Sequence, residues 1–357
     1  MTTETPLRLV SEEHLRSIGE ALLLAYQVPK EYAETTVHAL LQANLRGVDS
    51  HGISYLPLYL KRIKKKVIDP GARPEVLHRN GAAAVIDGNN GLGAVNGALA
   101  TDLSREMMKQ CGAGLTTVRN SGHFGMTAHY AGLAARDDAI GIAMTNAPSS
   151  VAAYGAKEPV LGTNPMSFVF PMKGRAPISI DFATSAIART KLKQLAEQNK
   201  EIPEGLALNQ EGYTTTDATE GYEGVLLPAA GVKGYSLALI VEILSGVLAN
   251  AALTTNVGQL VNDFSRPQNV GHFIGAISIN SFLEMEEYEE LMEQLLESIK
   301  GAQKAPQVDE IYYPGEIEAQ TKKERVENGI PLSTKLVDTL NQLLAEEKLE
   351  NYQIQIE

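Results

Sequence analysis

Cysteine is nearly absent from this sequence, since Cys111 is the only one among 357 residues. No disulfide can therefore form within the chain, and thiol–disulfide exchange between two of its own cysteines is excluded. A basic segment followed by an apolar one is also missing at the start of the sequence, and the apolar runs are too short or too interrupted to span a bilayer. We therefore expect a cytoplasmic protein without a membrane span.

Positive charge is also scarce, because 31 lysine and arginine residues stand against 43 aspartate and glutamate residues. The resulting net charge of −12 would repel nucleic acid and anionic membranes, so neither is an expected partner. The basic run at 61–66 is typical of a helix C-terminus, where cations complement the backbone dipole. The Walker loop, HExxH, CxxC and GxSxG motifs are absent, and we expect no metal site.

Helical spacing dominates both ends of the sequence. Near the N-terminus it is formed by Leu15, Ile18, Leu22 and Tyr26. Asp49 or Ser50 is a candidate N-cap for a further helix. That helix would bury Leu56, Tyr59, Leu60 and Ile63. Near the other end, Ser281 and Glu284 have capping-box spacing. The helix after them is predicted to bury Leu283, Leu291, Leu295 and Ile299.

The middle of the sequence alternates short apolar runs with helical patterns. Strands are predicted at 82–87, 114–119 and 140–146, with helices between them, and this alternation is typical of α/β proteins. We predict a helical domain of residues 1–76 and 290–357, whose terminal helices pack together. Residues 77–289 are predicted to form an α/β domain.

Residues 89–97, NNGLGAVNG, stand where a dinucleotide fingerprint would stand, between a strand and a helix. Their glycines have the spacing GxGxxxG, and Asn96 occupies the place of the third glycine of GxGxxG. The next strand ends at Arg119 and Asn120, so no acidic residue follows it to bind a ribose hydroxyl. We therefore interpret these glycines as a turn that packs a helix closely, and we reject a Rossmann site.

Two histidines stand in polar segments between regular elements. His51 follows Asp49 and Ser50, and His123 lies in NSGHFG after a strand. If Asp49 or Ser50 caps the next helix, His51 lies in its first turn, where the dipole favours a neutral imidazole that can accept a proton. A single such residue is more often a half-buried histidine bonded to a backbone carbonyl. Two in similar positions favour a catalytic pair, whereas His272, at the start of a strand, is expected to be structural.

Polar residues also flank the later strands. Asp181 ends an apolar run and either caps a helix that begins at Thr184 or orients a catalytic group, and the sequence favours the cap. Lys233 stands in GVKGY at the start of a helix, which indicates either an anion site or only a flexible helix start. The turn YYPGE at 312–316 is interpreted as one whose aromatic rings seal the core.

Several of these segments follow each other in a recognisable order. They are DSHG (49–52), GHFG (122–125), GTNP (162–165), DFATS (181–185), PAAGVKGY (228–235), NVGHF (269–273) and YYPGE (312–316). In this order they resemble the malate/L-lactate dehydrogenase family over nearly the whole chain. That family includes ureidoglycolate, sulfolactate and diketogulonate oxidoreductases and cyclic imine carboxylate reductases. PAAGVKGY and IYYPGE look most similar to the ureidoglycolate dehydrogenases.

The resemblance implies a homodimer with a family-specific, non-Rossmann α/β fold, in which a mixed central sheet joins a helical domain formed from both chain ends. The family's proton-transferring histidine maps to His51 or His123. The implied cofactor contacts are Ile180, Asp181, Phe182, Ala183, Thr184, Ser185, Ala186, Val232, Lys233, Pro314, Gly315 and Glu316. Ser50, Tyr55 and Asn164 are the expected substrate contacts.

Two positions depart from the family pattern. Tyr55 stands three residues after Gly52, where many members have an arginine suited to a substrate carboxylate. Arg46 or Arg189 would have to replace that arginine. The sequence RTK at 189–191 stands where Arg-Gly-Lys is more usual, which changes how the following helix approaches the cofactor.

These observations predict an NAD(P)-dependent oxidoreductase that moves a hydride between nicotinamide and a small 2-hydroxy or 2-oxo acid. Ureidoglycolate is the first expectation, followed by malate and lactate, and NAD is favoured over NADP. A neutral histidine would accept the hydroxyl proton in oxidation and return it in reduction. The alternatives are a cyclic imine carboxylate reductase and a metabolite-binding relative without activity. The presence of both histidines argues against the second alternative.

Overall fold

The computed structural model describes residues 7–355, so residues 1–6 and 356–357 of the expected helical domain lie outside the described range. The α-helices are α1 Glu12–Ala25, α2 Lys30–Leu45, α3 Leu56–Lys64, α4 Gly93–Cys111, α5 Thr127–Ala134, α6 Arg189–Glu197, α7 Ala218–Glu223, α8 Val232–Val241, α9 Met285–Lys300, α10 Glu316–Asn328 and α11 Thr334–Glu346. None of the helices within residues 7–355 is both long and apolar enough to cross a membrane.

The strands are short, and most of them lie in the middle of the chain. They are β1 Leu7–Val10, β2 Glu75–Asn80, β3 Ala83–Asp87, β4 Ala113–Ser121, β5 Ala139–Thr145, β6 Val151–Ala152, β7 Pro159–Leu161, β8 Met166–Phe170, β9 Ile178–Phe182, β10 Ala207–Leu208, β11 Val225–Leu226, β12 Val270–Ser278 and β13 Ile330–Ser333.

The central sheet has the strand order β2-β3-β4-β12-β5-β8-β9. β3 and β4 are parallel and joined by α4, whereas the other neighbouring strands are antiparallel. Successive residues of β12 face opposite sides, so Ile274 packs with α4 and α5 while Phe273 packs with α8. A doubly wound dinucleotide-binding sheet is mostly parallel. The mixed sheet therefore confirms the α/β, non-Rossmann class.

The glycines of the segment 88–97 bring α4 close to neighbouring residues. A Cβ at Gly93 would lie 2.3 Å from the carbonyl oxygen of Gly122, and a Cβ at Gly97 would lie 2.7 Å from the ring of Tyr130. Such distances leave no room for a side chain at either position. The contacts support close packing as the reason for these glycines.

Helices from both ends of the chain share one hydrophobic core. Its fully buried members include Leu15 of α1, Leu41 of α2, Leu56 of α3, Ile330 of β13 and Leu340 of α11. β1 pairs antiparallel with β13, which joins the two ends directly. The packing of the terminal helices agrees with their amphipathic spacing, because each helix alone would leave an apolar face in water.

α9 lies against the edge of the central sheet instead of joining this terminal core. Its buried residues are Tyr288 and Leu296, and Leu296 packs with Ile178 of β9. The predicted face was wrong, since Leu291, Leu295 and Ile299 are exposed. An apolar residue stands at almost every turn on both sides of this helix, so spacing alone did not select the packed side.

The start of α9 also differs from the prediction. Glu284 is the N-cap residue and makes no side-chain cap bond, while Ser281 ends a 3-10 turn of residues 279–281. The capping-box prediction was therefore wrong, because the chain leaves β12 through this turn before the helix begins. The expected domain boundary at residue 290 falls inside α9.

Candidate active site

The two histidines singled out by the sequence meet at one cavity. His51 lies after α2 and His123 lies between β4 and α5. Their ring centroids are 5.7 Å apart, and their planes differ by 23°. Both rings line a cavity of about 70 Å³, called the histidine cavity below. Thr145, Asn146, Thr163, Leu260 and Gln268 are among its other lining residues.

A 3-10 turn, and not an α-helix, carries His51. Residues 49–51 and 53–55 form two such turns, and α3 begins only at Leu56. The predicted cap at Asp49 or Ser50 was therefore wrong. The Asp49 carboxylate instead binds Arg325 of α10, with an Nη1–Oδ1 distance of 2.7 Å. An ion pair with a residue far along the chain has replaced the local cap.

Asn44 fixes the conformation of this turn. Its side-chain amide donates to Asp49 at 2.6 Å and its Oδ1 accepts from the backbone N–H of Ile53 at 2.7 Å. A Cβ at Gly52 would lie 2.2 Å from that Oδ1, so only glycine fits there. The glycine of DSHG is thus required by the side chain that holds the turn.

Tyr59 of α3 orients the ring of His123. Its hydroxyl oxygen lies 2.6 Å from Nδ1 of His123 and 3.3 Å from the carbonyl oxygen of the same residue. Both contacts are satisfied if Nδ1–H donates to the hydroxyl and the hydroxyl donates to the carbonyl. This arrangement leaves Nε2 unprotonated, which is the form that a general base needs.

Burial keeps both imidazoles neutral. It lowers the pKa of His123 to about 3, with smaller contributions from the charges of His51 and His272. Burial also lowers the pKa of His51, whose Nδ1 lies 2.9 Å from Oγ of Ser50. At pH 7 both rings are therefore neutral, and one nitrogen of each ring is unprotonated.

A third histidine supports the cavity from behind. His272 is fully buried, and Phe124 stacks on it with ring centroids 4.2 Å apart. Its ring nitrogens lie 2.9 Å from the hydroxyl of Thr145 and 2.8 Å from the hydroxyl of Ser121. Both nitrogens are occupied, which agrees with a structural role. The described residues contain no group of three or more histidine, cysteine, aspartate or glutamate side chains that could hold a metal ion.

Two side chains of the α3 region contact the ring of His123, and a third lies on the same face of this region. Tyr55, Tyr59 and Arg62 are four and three positions apart, and such residues lie on one side of a helix. The ring of Tyr55 stacks on His123 with centroids 4.4 Å apart. Sequence analysis assigned Tyr59 only to the apolar face of this helix. Its spacing from Tyr55 was the available signal for a role beside His123.

A larger cavity of about 740 Å³ lies between α2, α5, β9 and α10, and it is called the large cavity below. Val48 and Met126, each three residues from a histidine of the pair, line it. The expected cofactor contacts Ile180, Asp181, Phe182, Pro314 and Gly315 also line it. The charged side chains in the lining are Arg46, Lys322, Asp181 and Glu318.

Asp181 points into the large cavity and does not cap the following helix. α6 begins at Arg189, with Ala188 as its N-cap residue. The predicted cap was wrong, because Ser185 pairs with Pro228 in an isolated β-bridge. The helix begins only after this bridge, at Arg189. Loss of solvation raises the pKa of Asp181 to about 6. A hydrogen bond from the backbone N–H of Ala128 and the charge of Arg46 act in the opposite direction.

The segment after β9 links a strand that lines the large cavity to a residue that lines the histidine cavity. Thr184 donates from its backbone N–H and its hydroxyl to the carbonyl oxygen of Thr163, at 2.9 and 3.0 Å. Thr163 itself lines the histidine cavity. The Thr184 carbonyl oxygen accepts from the N–H of Ala229 at 2.9 Å, which brings the segment 228–234 alongside. Val232 and Lys233 lie in the first turn of α8, where both are exposed, and line neither cavity.

Two expected ligand contacts are used by the protein itself. Asn164 is fully buried; its amide donates to Glu242 at 2.8 Å and its Oδ1 accepts from the N–H of Ala147 at 3.1 Å. Glu316 forms an ion pair with Lys300. The polar atoms of both side chains are occupied by these partners. Neither side chain lines the histidine cavity or the large cavity, and the sequence position of each residue did not reveal these bonds.

The residues considered as ligands of a substrate carboxylate lie outside the lining of the histidine cavity. Tyr55 stacks on His123, Arg46 lines the large cavity, and Arg189 donates to the carbonyl oxygen of Tyr222 at 2.9 Å. Among the described residues that line the histidine cavity there is no lysine or arginine. Neither arginine considered as a substitute therefore reaches this cavity.

Over nearly its whole length the chain is similar to proteins named as dehydrogenases. The family model described as malate/L-lactate dehydrogenase matches residues 10–341, and the chain belongs to this family of enzymes. Malate/(S)-sulfolactate dehydrogenase of Methanothermus fervidus is 35% identical over 342 residues, covering 96% of this chain and 99% of the relative. L-sulfolactate dehydrogenase of Methanocaldococcus jannaschii is 37% identical, covering 95% and 97%. A solved structure of sulfolactate dehydrogenase from that organism has a TM-score of 0.91 at 35% identity, covering 96% and 98%.

Two more distant relatives are named with different nicotinamide cofactors. A (2R)-3-sulfolactate dehydrogenase (NADP(+)) of Chromohalobacter salexigens is 33% identical, covering 81% of this chain and 87% of the relative. Ureidoglycolate dehydrogenase (NAD(+)) of Escherichia coli O157:H7 is 28% identical, covering 96% of each. The relatives are nicotinamide-dependent dehydrogenases of small hydroxy acids.

Proposed function

We propose that this protein is an NAD(P)-dependent dehydrogenase of a small 2-hydroxy acid, with His51 and His123 as its catalytic residues. The observation that carries the proposal is the pairing of two neutral imidazoles, 5.7 Å apart, in one cavity. Malate and sulfolactate are the first substrate candidates, because the relatives named for them are 35–37% identical while the ureidoglycolate relative is 28% identical. Ureidoglycolate and lactate follow.

His123 is the better placed proton acceptor, because Tyr59 occupies its Nδ1 and leaves Nε2 free. During oxidation, Nε2 takes the hydroxyl proton of the substrate while His51 binds the same oxygen; during reduction the imidazolium returns the proton. A bound nicotinamide supplies the hydride acceptor or donor. The carboxylate of the substrate, once beside the ring, raises the low pKa of His123, since a nearby negative charge favours the imidazolium.

The large cavity suits a dinucleotide. Its volume of about 740 Å³ lies within the range of roughly 300–1,000 Å³ that is typical of ligand sites. Arg46 and Lys322 would bind phosphate oxygens, and Asp181 would accept hydrogen bonds from ribose hydroxyls. Because a carboxylate repels an additional phosphate on the ribose, we propose NAD as the cofactor, with NADP as the alternative.

We further propose that the enzyme is a cytoplasmic homodimer, as the family resemblance implies. An apolar surface on α8 and the turn after it supports the assembly. Ile240, Ile243, Val247 and Leu248 are between 44% and 56% exposed there. Exposed apolar patches of this kind are typical of protein interfaces. Light scattering tests the mass, and a monomer at micromolar concentration would contradict this proposal.

A substrate panel tests the activity. The acids are malate, sulfolactate, lactate, ureidoglycolate and a cyclic imine carboxylate, each assayed with NAD and NADP in the appropriate redox state by the absorbance of reduced nicotinamide. We expect turnover of a 2-hydroxy acid and a preference for NAD. Turnover of the imine alone would replace the proposal with the reductase alternative. Absence of both turnover and cofactor binding would overturn it in favour of a relative without activity.

A further inference from the structure

The segment of residues 257–268 closes one side of the histidine cavity. Leu260 and Gln268 from this segment line the cavity. Gln268 accepts a hydrogen bond from the backbone N–H of His123 at 3.1 Å and donates to the carbonyl oxygen of Gly258 at 3.3 Å. Residues 257–268 form neither helix nor strand. Their backbone groups therefore need partners other than those of regular secondary structure.

Arg62 of α3 supplies many of these partners. Its side chain is fully buried, and its guanidinium lies against the segment from inside the protein. It donates to the carbonyl oxygens of Gln259 at 3.1 Å, Leu260 at 2.9 Å, Asp263 at 2.9 Å and Arg266 at 3.3 Å. Cζ of Arg62 also lies 5.6 Å from the ring centroid of Phe264. One side chain thus contacts five residues of the segment.

Backbone carbonyl oxygens accept the hydrogen bonds of Arg62, and the charge of the nearby Asp263 carboxylate also stabilises the guanidinium. Asp263 is the acidic residue of the segment, and its carboxylate pairs with Arg266 at 3.6 Å, while its backbone carbonyl binds Arg62. Nη1 of Arg62 lies within hydrogen-bond distance of three of these carbonyl oxygens, and Nη2 lies within hydrogen-bond distance of the fourth. The guanidinium holds these two nitrogens apart in one plane, whereas the ammonium group of a lysine has a single nitrogen.

The position of Arg62 on α3 links the segment to the proton acceptor. Arg62 stands three residues after Tyr59, whose hydroxyl binds His123, and residues three apart lie on the same face of a helix. α3 therefore binds both the ring of His123, through Tyr59, and the backbone of Leu260, through Arg62. Gln268, at the end of the segment, is bonded directly to the backbone N–H of His123.

We propose that Arg62 is a positioning residue, which fixes residues 257–268 so that Leu260 and Gln268 limit the size of the acid in the histidine cavity. The proposal rests on the proposed function of that cavity. Leu260 is the apolar side chain that the segment contributes to the lining. Arg62 binds the carbonyl oxygen of Leu260. It therefore fixes the backbone of the residue whose side chain limits the size of the acid.

The test compares Arg62→Lys with Lys64→Met, a control that removes an exposed cation from the same helix. In Arg62→Lys we expect the KM for the acid to rise roughly ten- to hundredfold through misplacement of the cavity wall, while cofactor affinity stays unchanged. Discrimination between a short and a bulkier acid should weaken, and limited proteolysis within 257–268 should accelerate. The control should match the wild type in all measurements.

Leu260→Ala keeps the proposal testable if Arg62→Lys does not fold. It should reproduce the loss of size discrimination without faster proteolysis, since Arg62 binds the backbone and not the side chain of residue 260. Unchanged acid KM and unchanged cleavage in Arg62→Lys would overturn the proposal, as would size discrimination unaffected in Leu260→Ala. If the wild type turns over no acid, the proposed function fails, while the proteolysis comparison still decides whether Arg62 fixes the segment.

Discussion

The hydroxyl oxygen of Tyr59 lies 2.6 Å from Nδ1 of His123, although the two residues are 64 positions apart in the chain. This bond orients the imidazole and determines which of its nitrogens meets the cavity. Burial lowers the pKa of His123 to about 3, so the ring is neutral and the bond to Tyr59 distinguishes its two nitrogens. The orientation of the His123 ring is therefore set by Tyr59, which belongs to the hydrophobic core of the terminal helices.

Replacing Tyr59 with phenylalanine should lower kcat more than it weakens cofactor binding. The change leaves the ring volume intact but removes the partner of Nδ1, so we expect a loss of roughly ten- to hundredfold in turnover through misorientation of the ring. Steady-state kinetics and cofactor titration measure the two effects. Tyr352→Phe, at the far end of the chain, is the matched control; a turnover in Tyr59→Phe equal to that control would contradict the orienting role.

His51→Gln and His123→Gln should each depress turnover with little effect on cofactor affinity. Loss of a general acid or base typically costs on the order of 10²- to 10⁴-fold in rate, and glutamine preserves hydrogen bonding without titrating. Because His78 is exposed on β2, His78→Gln serves as the control. Near-normal turnover in both cavity variants would refute their assignment as catalytic residues.

Arg46→Leu should weaken cofactor binding without changing the folded structure. Arg46 lines the large cavity, and phosphate contacts by arginine are charge-assisted and comparatively strong. We expect the cofactor Kd to rise roughly tenfold, corresponding to about 1.4 kcal/mol. Fluorescence titration of reduced nicotinamide measures it. Arg189→Leu, which removes an exposed arginine outside both cavities, is the control, and equal affinities in the two variants would place the phosphates elsewhere.

Gly93→Ala should destabilise the protein and reduce activity together. The added Cβ would lie 2.3 Å from the carbonyl oxygen of Gly122, beside His123, and overpacking of this kind typically costs roughly 1–3 kcal/mol. Urea denaturation and kinetics measure the outcome. Gly122→Ala provides a close comparison, because its Cβ would come no nearer than 3.6 Å to another heavy atom. Equal stability of the two variants would show that α4 does not pack as described.

The protein should lose stability as the pH falls from about 6.5 towards 3. Burial lowers the pKa of His123, His129 and His272 to about 3, against about 6.5 in the unfolded chain. Within this window the unfolded chain binds more protons, so each histidine contributes a slope of up to ~1.4 kcal/mol per pH unit. Asp181 acts in the opposite direction, because its pKa is raised to about 6 in the folded protein. It is one group against three histidines.

Urea denaturation between pH 7 and pH 5 measures this slope. His129→Gln removes one of the three titrating rings without touching the histidine cavity, and its stability should depend less steeply on pH than that of the wild type. A free energy of unfolding that is constant over this range would contradict the burial of neutral histidines.

Much of the architecture was predictable from local patterns. The strands near residues 82–87, 114–119 and 140–146 appear as β3, β4 and β5, because apolar and β-branched residues predominate in each of these short runs. The glycine spacing around Gly93 excluded a dinucleotide fingerprint before the mixed sheet was known. The helix caps were less predictable, since Asp49 and Asp181 found partners in Arg325 and Ala128 that local sequence cannot reveal.

The amino-acid sequence by itself determined the α/β class, the family and the two histidines, because periodicity and short motifs are properties of neighbouring residues. Only the tertiary structure decided that Tyr59 binds His123, that Asn164 is a structural amide and that Arg62 anchors residues 257–268. These outcomes depend on which backbone carbonyls and side chains meet across the core. Packing between distant segments sets these contacts, so the pattern of neighbouring residues in the sequence does not contain them.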